Sequence, residues 1–419
     1  MLPKEYIKPV PKWLCSQETK FLLDILCVNG NEVRFVGGCV RDSLIQKEVS
    51  DVDIATLQSP DEIINRLENK GIQPIKVGVS YGTVGVVIGE QHYEITTLRR
   101  DKKSFGRGAI VEFIDDWEED ASRRDFTINT LSCNSEGLIF DPFDGIADLR
   151  AGRIRFVGNP AERIQEDHLR LLRFFRFFAW YGNDSIDSQA LKACADSAQS
   201  LKRLSGERIR QEILKLLAAP SPIESLYAMR EINVLDILLP EIKTFDLIEN
   251  LLDLEVQFDE KLIADPIFRL AALIRGNLVA ASAISKKLNF SKKQVNKLKG
   301  LTVSNSKLIP SYYKEKGRSI FYPLGHDYCV ESVLLNWAEN GGLSSTKSDE
   351  WEYFFKESKK WNPPKFTING DDVISLGVTE GKAIGCLLSD LEKWWIQESF
   401  EPNRKDLLRM LKKMISNLT

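Results

Sequence analysis

The stretch FVGGCVRDSLIQKEVSDVDIAT (residues 35–56) constrains this chain more than any other. An apolar pair, Phe35 and Val36, runs into Gly37 and Gly38, and a short helix-forming segment carrying Arg41 and Asp42 begins near Cys39. A second strand then brings Asp51 and Asp53, one residue apart. Strand residues i and i+2 point to the same face, so the two carboxylates stand side by side. Like charges so placed repel one another and bury no core. The arrangement makes sense if a divalent cation sits between them. Mg²⁺ suits, because it takes one or two carboxylates and completes its shell with water and substrate phosphates. The glycine pair supplies the other half: it lets the backbone approach an anion and opens a helix whose first amides face it. Metal and phosphate sites side by side are what phosphoryl or nucleotidyl transfer requires. The competing reading is a surface turn followed by a solvated acidic strand. That explains a DxD alone, but not one with GGxVRD just upstream.

GGCVRD–x8–DVD resembles the signature of the class II DNA polymerase β-like nucleotidyltransferases. These are the CCA-adding tRNA nucleotidyltransferases and the bacterial poly(A) polymerases. The resemblance implies an α+β fold: an N-terminal polymerase β-like head, a mixed sheet with helices, followed by an all-α neck, body and tail. The expected bounds are 1–158 for the head, 159–220 for the neck, 221–340 for the body and 341–419 for the tail. The main boundary rests on the residues themselves, since strand signals almost vanish from Asn159 onward and helical ones dominate. By resemblance, Asp51 and Asp53 are the catalytic metal ligands, and Gly38 and Arg41 touch the nucleotide phosphates.

Further motifs follow in order. DWEEDASRRDFTIN (116–129) offers Arg123 and Arg124 as positive forks for a triphosphate, with Asp125 placed to orient one of them by a salt bridge. The resemblance singles out Arg124 as the nucleotide contact. NPAERIQEDHLRLLRFFRFFAWYG (159–182) reads as one helix. Asp167, Arg170 and Arg173 recur every third residue and share a face, flanked by Arg163 and Arg176. Taken alone, this is a salt-bridged amphipathic helix. EDxLRxLRFxRF, however, resembles the motif by which the family selects the incoming nucleotide. A carboxylate accepts and an arginine donates, so together they match an amino group beside a ring-nitrogen acceptor. Cytosine and adenine show that edge. Uracil and guanine show the opposite order and would bury unmatched groups, at about 1–3 kcal/mol each. By resemblance Asp167 and Arg170 read the base, with Arg173 and Arg176 holding the base or phosphates.

RDKKSFGRGAIVEF (100–113) has no apolar period in its first half and reads as a mobile loop feeding a strand at 110–113, against the alternative of an ordinary exposed hairpin tip. The family's flexible loop, which helps the enzyme change from C to A addition, carries a D…GR pattern. Asp101, Gly106 and Arg107 match it. Glu94, on the strand QHYEITTLR, is either a third acid of the site or a surface residue. LSGERIRQEILKLLAAP (204–220) reads as a buttressing helix, with Glu207, Arg208 and Arg210 in support. In the tail, Gly377, Gly381 and Gly385 recur every fourth residue, either for close helix packing or to expose amides to RNA phosphate.

The totals set limits. The 419 residues, 43% hydrophobic and 28% charged, suit a protein of two to four domains. The net charge of −3 argues mildly against nucleic-acid binding, but the basic residues cluster at 99–103, 123–124, 163–176 and 202–210. Seven scattered cysteines without a CxxC pair argue against zinc and disulfides and for a reducing compartment. The three histidines, His92, His168 and His326, have no ligand spacing and read as structural. No run of eighteen apolar residues and no secretory or transit leader is apparent, so a cytoplasmic protein without a membrane partner is expected. The implied partners are tRNA, CTP and ATP, with Mg²⁺ as cofactor; a monomer and a homodimer remain open. The implied activity is template-independent CCA addition, with poly(A) synthesis or addition of CC or A alone as the alternatives. A dinucleotide-binding fold is excluded, because GxGxxG is absent at 37–42.

Overall fold

The computed structural model describes residues 3–76, 78–105, 108–183, 185–258, 265–325 and 328–417. Gly106, Arg107 and His326 lie outside the described residues. The chain divides into two compact units, Met1–Pro240 and Glu241–Thr419.

Among the described residues, strands occur only in the first unit. β1 (Pro3–Tyr6), β2 (Val33–Val36), β3 (Asp51–Thr56), β4 (Thr83–Ile88), β5 (Gln91–Thr97), β8 (Ser132–Cys133) and β9 (Leu138–Phe140) make one sheet in the order β1-β9-β8-β2-β3-β5-β4. β3 and β5 run parallel; the other pairs are antiparallel. The parallel pair needs a crossover, and the helix Pro60–Asn69 lies within it. Ser59 and Glu62 close a capping box at its start, as SPDE spells out. The pleat divides the residues of β3. Val52 and Ile54 enter a core with Phe35, Tyr93, Ile95, Val84 and Val86. Asp51, Asp53 and Ala55 take the other face, where Ala55 packs with Val36 and Leu98. An acid pair therefore rides on a strand anchored by the large apolar residues behind it.

Two expectations change. β6 (Arg99–Phe105) and β7 (Gly108–Phe113) pair as a separate two-stranded sheet, so the segment read as a mobile loop is a β-hairpin. Backbone pairing forms it, which apolar periodicity does not report. Residues 138–157 (LIFDPFDGIADLRAGRIRFV), which as a sequence read as short strands around turns, include instead the helix Gly145–Arg150, which Asp141 opens by accepting from the amides of Gly145 and Ile146.

Helices fill the rest of the first unit. Phe126 and Phe156, on the sheet side of residue 158, pack their rings against Phe174 and Phe177 of the helix Leu169–Tyr181. That shared aromatic core explains why the expected head and neck form one compact body. The helix Gly206–Leu217, capped by Ser205, packs on Leu169–Tyr181. The second unit is helical among its described residues. One core gathers Trp337, Trp351, Phe354 and Phe355. Another, at the C-terminal end, gathers Val373, Leu387, Leu391, Trp395, Leu407 and Leu411. No helix among the described residues is long and apolar enough to cross a membrane.

Candidate active site

The glycine turn is built by its backbone. Gly37 has φ +70 and ψ −121, and its amide donates to the Leu131 carbonyl (2.8 Å). A Cβ there would lie 2.9 Å from Arg124 Nη1. Only glycine meets both demands, conformation and clearance. The helix Gly38–Leu44 follows directly, and β3 brings Asp53 to the same cleft. Asp51 is exposed at the start of that strand, its Oδ2 accepting from Ser50 Oγ (3.0 Å). In the parallel register Asp53 stands opposite Glu94 of β5. Burial, then Glu94, then Asp51, pushes the Asp53 carboxyl up to about 6, against the opposing pull of Arg124 and His92. Glu94 is thus near enough to act on Asp53 electrostatically.

These residues fit a hard divalent cation. The donors are carboxylate oxygens, and their mutual repulsion is what a cation relieves. Among the described residues no three or more His, Cys, Asp or Glu side chains converge into a closed cage. A pair of carboxylates is what Mg²⁺ commonly takes from a protein when phosphates supply other ligands.

Asp53, but not Asp51, shares with several guanidinium groups the lining of a cleft of about 640 Å³. Asp120, buried, holds two of them. It accepts from Arg123 Nε (2.9 Å) and Arg124 Nη2 (3.5 Å), and from the backbone amide of Arg99 (3.2 Å). Burial pushes its carboxyl up, but Arg123 and Arg124 outweigh that and hold it below the ordinary range. Asp125, expected to serve one of these arginines, serves Arg173 instead (2.5 Å). Its other oxygen accepts from the Phe126 amide (2.9 Å) and Asn129 Nδ2 (2.8 Å). Asn129 Oδ1 accepts from Arg41 Nη1 (2.5 Å), and Arg41 pairs with Asp42 (2.8 Å) and lies over the Tyr181 ring (4.4 Å). A continuous chain, Asp42–Arg41–Asn129–Asp125–Arg173, therefore joins the glycine turn to the long helix.

The segment read as one helix is two. Pro160–Glu166 and Leu169–Tyr181 are separated at Asp167, whose backbone is extended (φ −147, ψ 107). Asp167 Oδ1 accepts from the Leu169 amide (3.1 Å), a local bond that competes with continuing the helix. Asp167 and Arg170 both line the cleft but do not pair with each other. Asp167 Oδ2 accepts from Arg208 Nη2 (2.7 Å), and Arg170 binds Glu166 (2.5 Å) and the Arg123 carbonyl (3.1 Å). Arg163 grips the carbonyls of Arg123 and Arg124 (2.5 Å to the latter), which fixes the two-arginine segment against this helix pair.

The cleft lining includes Gly38, Arg41, Asp53, Arg124, Asp167, Arg170 and Arg173. Arg176 is buried in an ion pair with Glu212 (2.9 Å) and is not among the residues that line the cleft. Successive steps of three residues drift by about 60° around a helix, so Arg176 has turned away from the face that Arg170 presents. Asp101 is exposed on β6. Sequence reasoning missed Arg99, Asp120 and Arg208. Arg208 looked like support because nothing in GERIRQE marks it, and only the fold brings it to Asp167.

Residues 33–155 match the family described as "Poly A polymerase head domain", and residues 185–246 match "Probable RNA and SrmB- binding site of polymerase A". The chain is 31% identical to human "CCA tRNA nucleotidyltransferase 1, mitochondrial", over 98% of this chain and 95% of that protein. It is 32% identical to the CCA-adding enzyme of Enterococcus faecalis, over 92% of this chain and 93% of that one. Among solved structures it superposes on Bacillus stearothermophilus CCA-adding enzyme in complex with CTP with a TM-score of 0.71 at 23% identity, covering 96% of this chain and 98% of the other. It also superposes on Thermotoga maritima CCA-adding enzyme complexed with tRNA with a TM-score of 0.64 at 21% identity, covering 100% of both chains. At these identities the superpositions show the fold.

Proposed function

We propose, from the premise that this chain belongs to the family of CCA tRNA nucleotidyltransferases, that it adds C, C and A to the 3′ end of tRNA. CTP and ATP are the donors, no nucleic-acid template is used, and pyrophosphate is released. The observation that carries the reading is the composition of one cleft. Its lining combines a glycine turn, an acid of the DxD pair, several arginines and the Asp167–Arg170 segment.

In this reading the backbone at Gly38, with Arg41 and Arg124, holds the triphosphate. Arg173, tied to Asp125, holds the base or phosphates. Asp167 and Arg170 present acceptor and donor to the base edge, and Arg208 fixes the Asp167 carboxylate. Asp51 and Asp53 would hold Mg²⁺. Bound there, the ion supplies activation of the RNA 3′-hydroxyl and neutralises charge on the departing pyrophosphate. The 3′-oxygen bonds to the α-phosphorus, the bond from that phosphorus to the α,β-bridging oxygen breaks, and no covalent enzyme intermediate is needed. The chain's own contribution is positioning and electrostatic grip. Domains at 1–158, 159–220, 221–340 and 341–419 belong to this proposal, the last two contacting tRNA. So does the hairpin carrying Asp101 as the element that changes C to A addition.

A cytoplasmic address is supported by the seven cysteines, all free. The human relative is named as a mitochondrial protein, which makes an organelle the competing address.

The test is incubation with a tRNA ending at the discriminator base, with CTP alone and then with CTP and ATP, followed by sequencing of the 3′ ends. CC and then CCA is expected. Long A tails without CC would mean the poly(A) polymerase of the same family. Asp51→Ala with undiminished incorporation would overturn the assignment of the acids.

A further inference from the structure

Arg99 is the first residue of β6, and its side chain turns into the cleft beside Gly37, Asp53, Arg123 and Arg124. Its partners there are neutral. Nη1 donates to the Tyr81 carbonyl and to Thr83 Oγ1 (3.2 Å). Its Nε is fully buried and has no acceptor. Among the described residues no carboxylate pairs with its guanidinium; Asp120 accepts the Arg99 backbone amide and otherwise binds the side chains of Arg123 and Arg124. Three guanidinium groups thus crowd one end of the cleft, and Asp120 bonds the side chains of only two of them. Burial and then the repulsion from Arg123 push Arg99 down to about 10, against the opposing pull of Asp101 and Asp120, with Arg124 adding to the repulsion. A buried, unmatched donor in a field of like charge is unfavourable unless an anion arrives to satisfy it.

We propose that Arg99 is a further substrate-binding residue, whose guanidinium, hydrogen-bonded only to neutral acceptors, grips the triphosphate of the incoming nucleotide from the base of the β6–β7 hairpin. The proposal deepens the reading of the cleft given above and rests on it. It also gives the hairpin a physical handle on the reaction. Arg99 belongs to β6, and its amide is held by the same carboxylate that holds Arg123 and Arg124. Any displacement of the hairpin base therefore moves one phosphate ligand and disturbs the anchor of two more.

The ligand chemistry is the polyphosphate, not the base. The test therefore compares binding of CTP with binding of CMP, and inhibition by pyrophosphate, in the full-length protein and in Arg99→Gln. A charge-assisted hydrogen bond lost from the triphosphate predicts CTP affinity down by about tenfold or more. Pyrophosphate inhibition should weaken in parallel, with CMP affinity unchanged. Arg99→Lys keeps the charge and should hold the CTP-to-CMP ratio within about threefold of the parent. Equal loss of CTP and CMP, or unaltered pyrophosphate inhibition, overturns the proposal. If Arg99→Gln does not fold, Arg99→Met is read in its place: an unchanged CTP-to-CMP ratio, with the parent's melting temperature, overturns the proposal as well. Incorporation of C and A by the parent protein tests the underlying reading separately, so the two can fail independently.

Discussion

Replacing Asp125 by asparagine removes one charge from the middle of the chain Asp42–Arg41–Asn129–Asp125–Arg173. Burial alone would raise this carboxyl. Arg173, the Asn129 amide and the Phe126 N–H instead hold it at about 2, against an ordinary value of 3.8. Each pH unit of such a difference is worth about 1.4 kcal/mol, so the charge contributes about 2 kcal/mol at neutral pH. Because the folded value is depressed, that stability is present above pH 3.8 and is lost as pH falls through about 2; roughly half survives at pH 3. Asparagine also turns an N–H₂ toward the Arg173 guanidinium, donor against donor. The Arg173 side chain is 31% exposed, so water screens part of that penalty. We expect Asp125→Asn to lower the local opening free energy by about 2–3 kcal/mol at pH 7. Hydrogen exchange should be read on the amides of Leu169–Tyr181 and of Val157, which donates to the Asp125 carbonyl (3.0 Å). A local measurement is the right one because two compact units need not unfold together. The difference should shrink toward pH 3. Protection within about 0.5 kcal/mol of the parent at pH 7, or a difference independent of pH, would refute the argument.

Gly37→Ala should cost about 1–3 kcal/mol for its positive-φ backbone, and its methyl should displace Arg124; melting temperature and the KM for CTP check the two effects. Arg208→Gln frees the Asp167 carboxylate, so incorporation of UTP and GTP relative to CTP and ATP should rise about fivefold or more in a four-nucleotide competition. Gly385→Ala should raise the stability of the helix Gly381–Gln397 by about 0.5–1 kcal/mol, because its methyl would meet nothing within 4 Å; thermal unfolding checks it, and a loss of that size counts against it.

The last of these marks where the sequence was ambiguous. Gly377, Gly381 and Gly385 suggested either helix packing or exposed amides, and the open space at all three removes the packing reading. Elements governed by local rules were legible: the Ser59 capping box, the Ser205 cap, and β3 with its alternating acids. The hairpin was not legible as more than the alternative to a mobile loop, because strand pairing within it does not follow an apolar period. Nor was the break at Asp167. EDHLR contains no glycine or proline, and the break depends on a carboxylate that bonds the Leu169 amide and meets Arg208 forty-one residues on. The same non-local cause misdirected the pairing of Asp125, whose partner Arg173 is forty-eight residues away.

These long-range bonds bear on how a protein without a template can measure a base. On the proposed reading, phosphates are held at the glycine turn and the base edge is read at Asp167 and Arg170, so the two places must keep a fixed separation. The structure meets that requirement three times over. Arg163 and Arg170 fasten onto the carbonyls of the two-arginine segment, Asp125 binds Arg173, and Phe126 and Phe156 pack on Phe174 and Phe177. Among the described strands only β6 and β7 stand outside the main sheet. A change from one base to the other within so fixed a frame is then most cheaply made by the hairpin, which enters the cleft at Arg99 and shares Asp120 with the phosphate-side arginines. Asp120→Asn should therefore impair the final A step more than the two C steps, a split that single-turnover incorporation with CTP and then ATP resolves. Equal loss at all three steps would assign Asp120 to the phosphate grip alone.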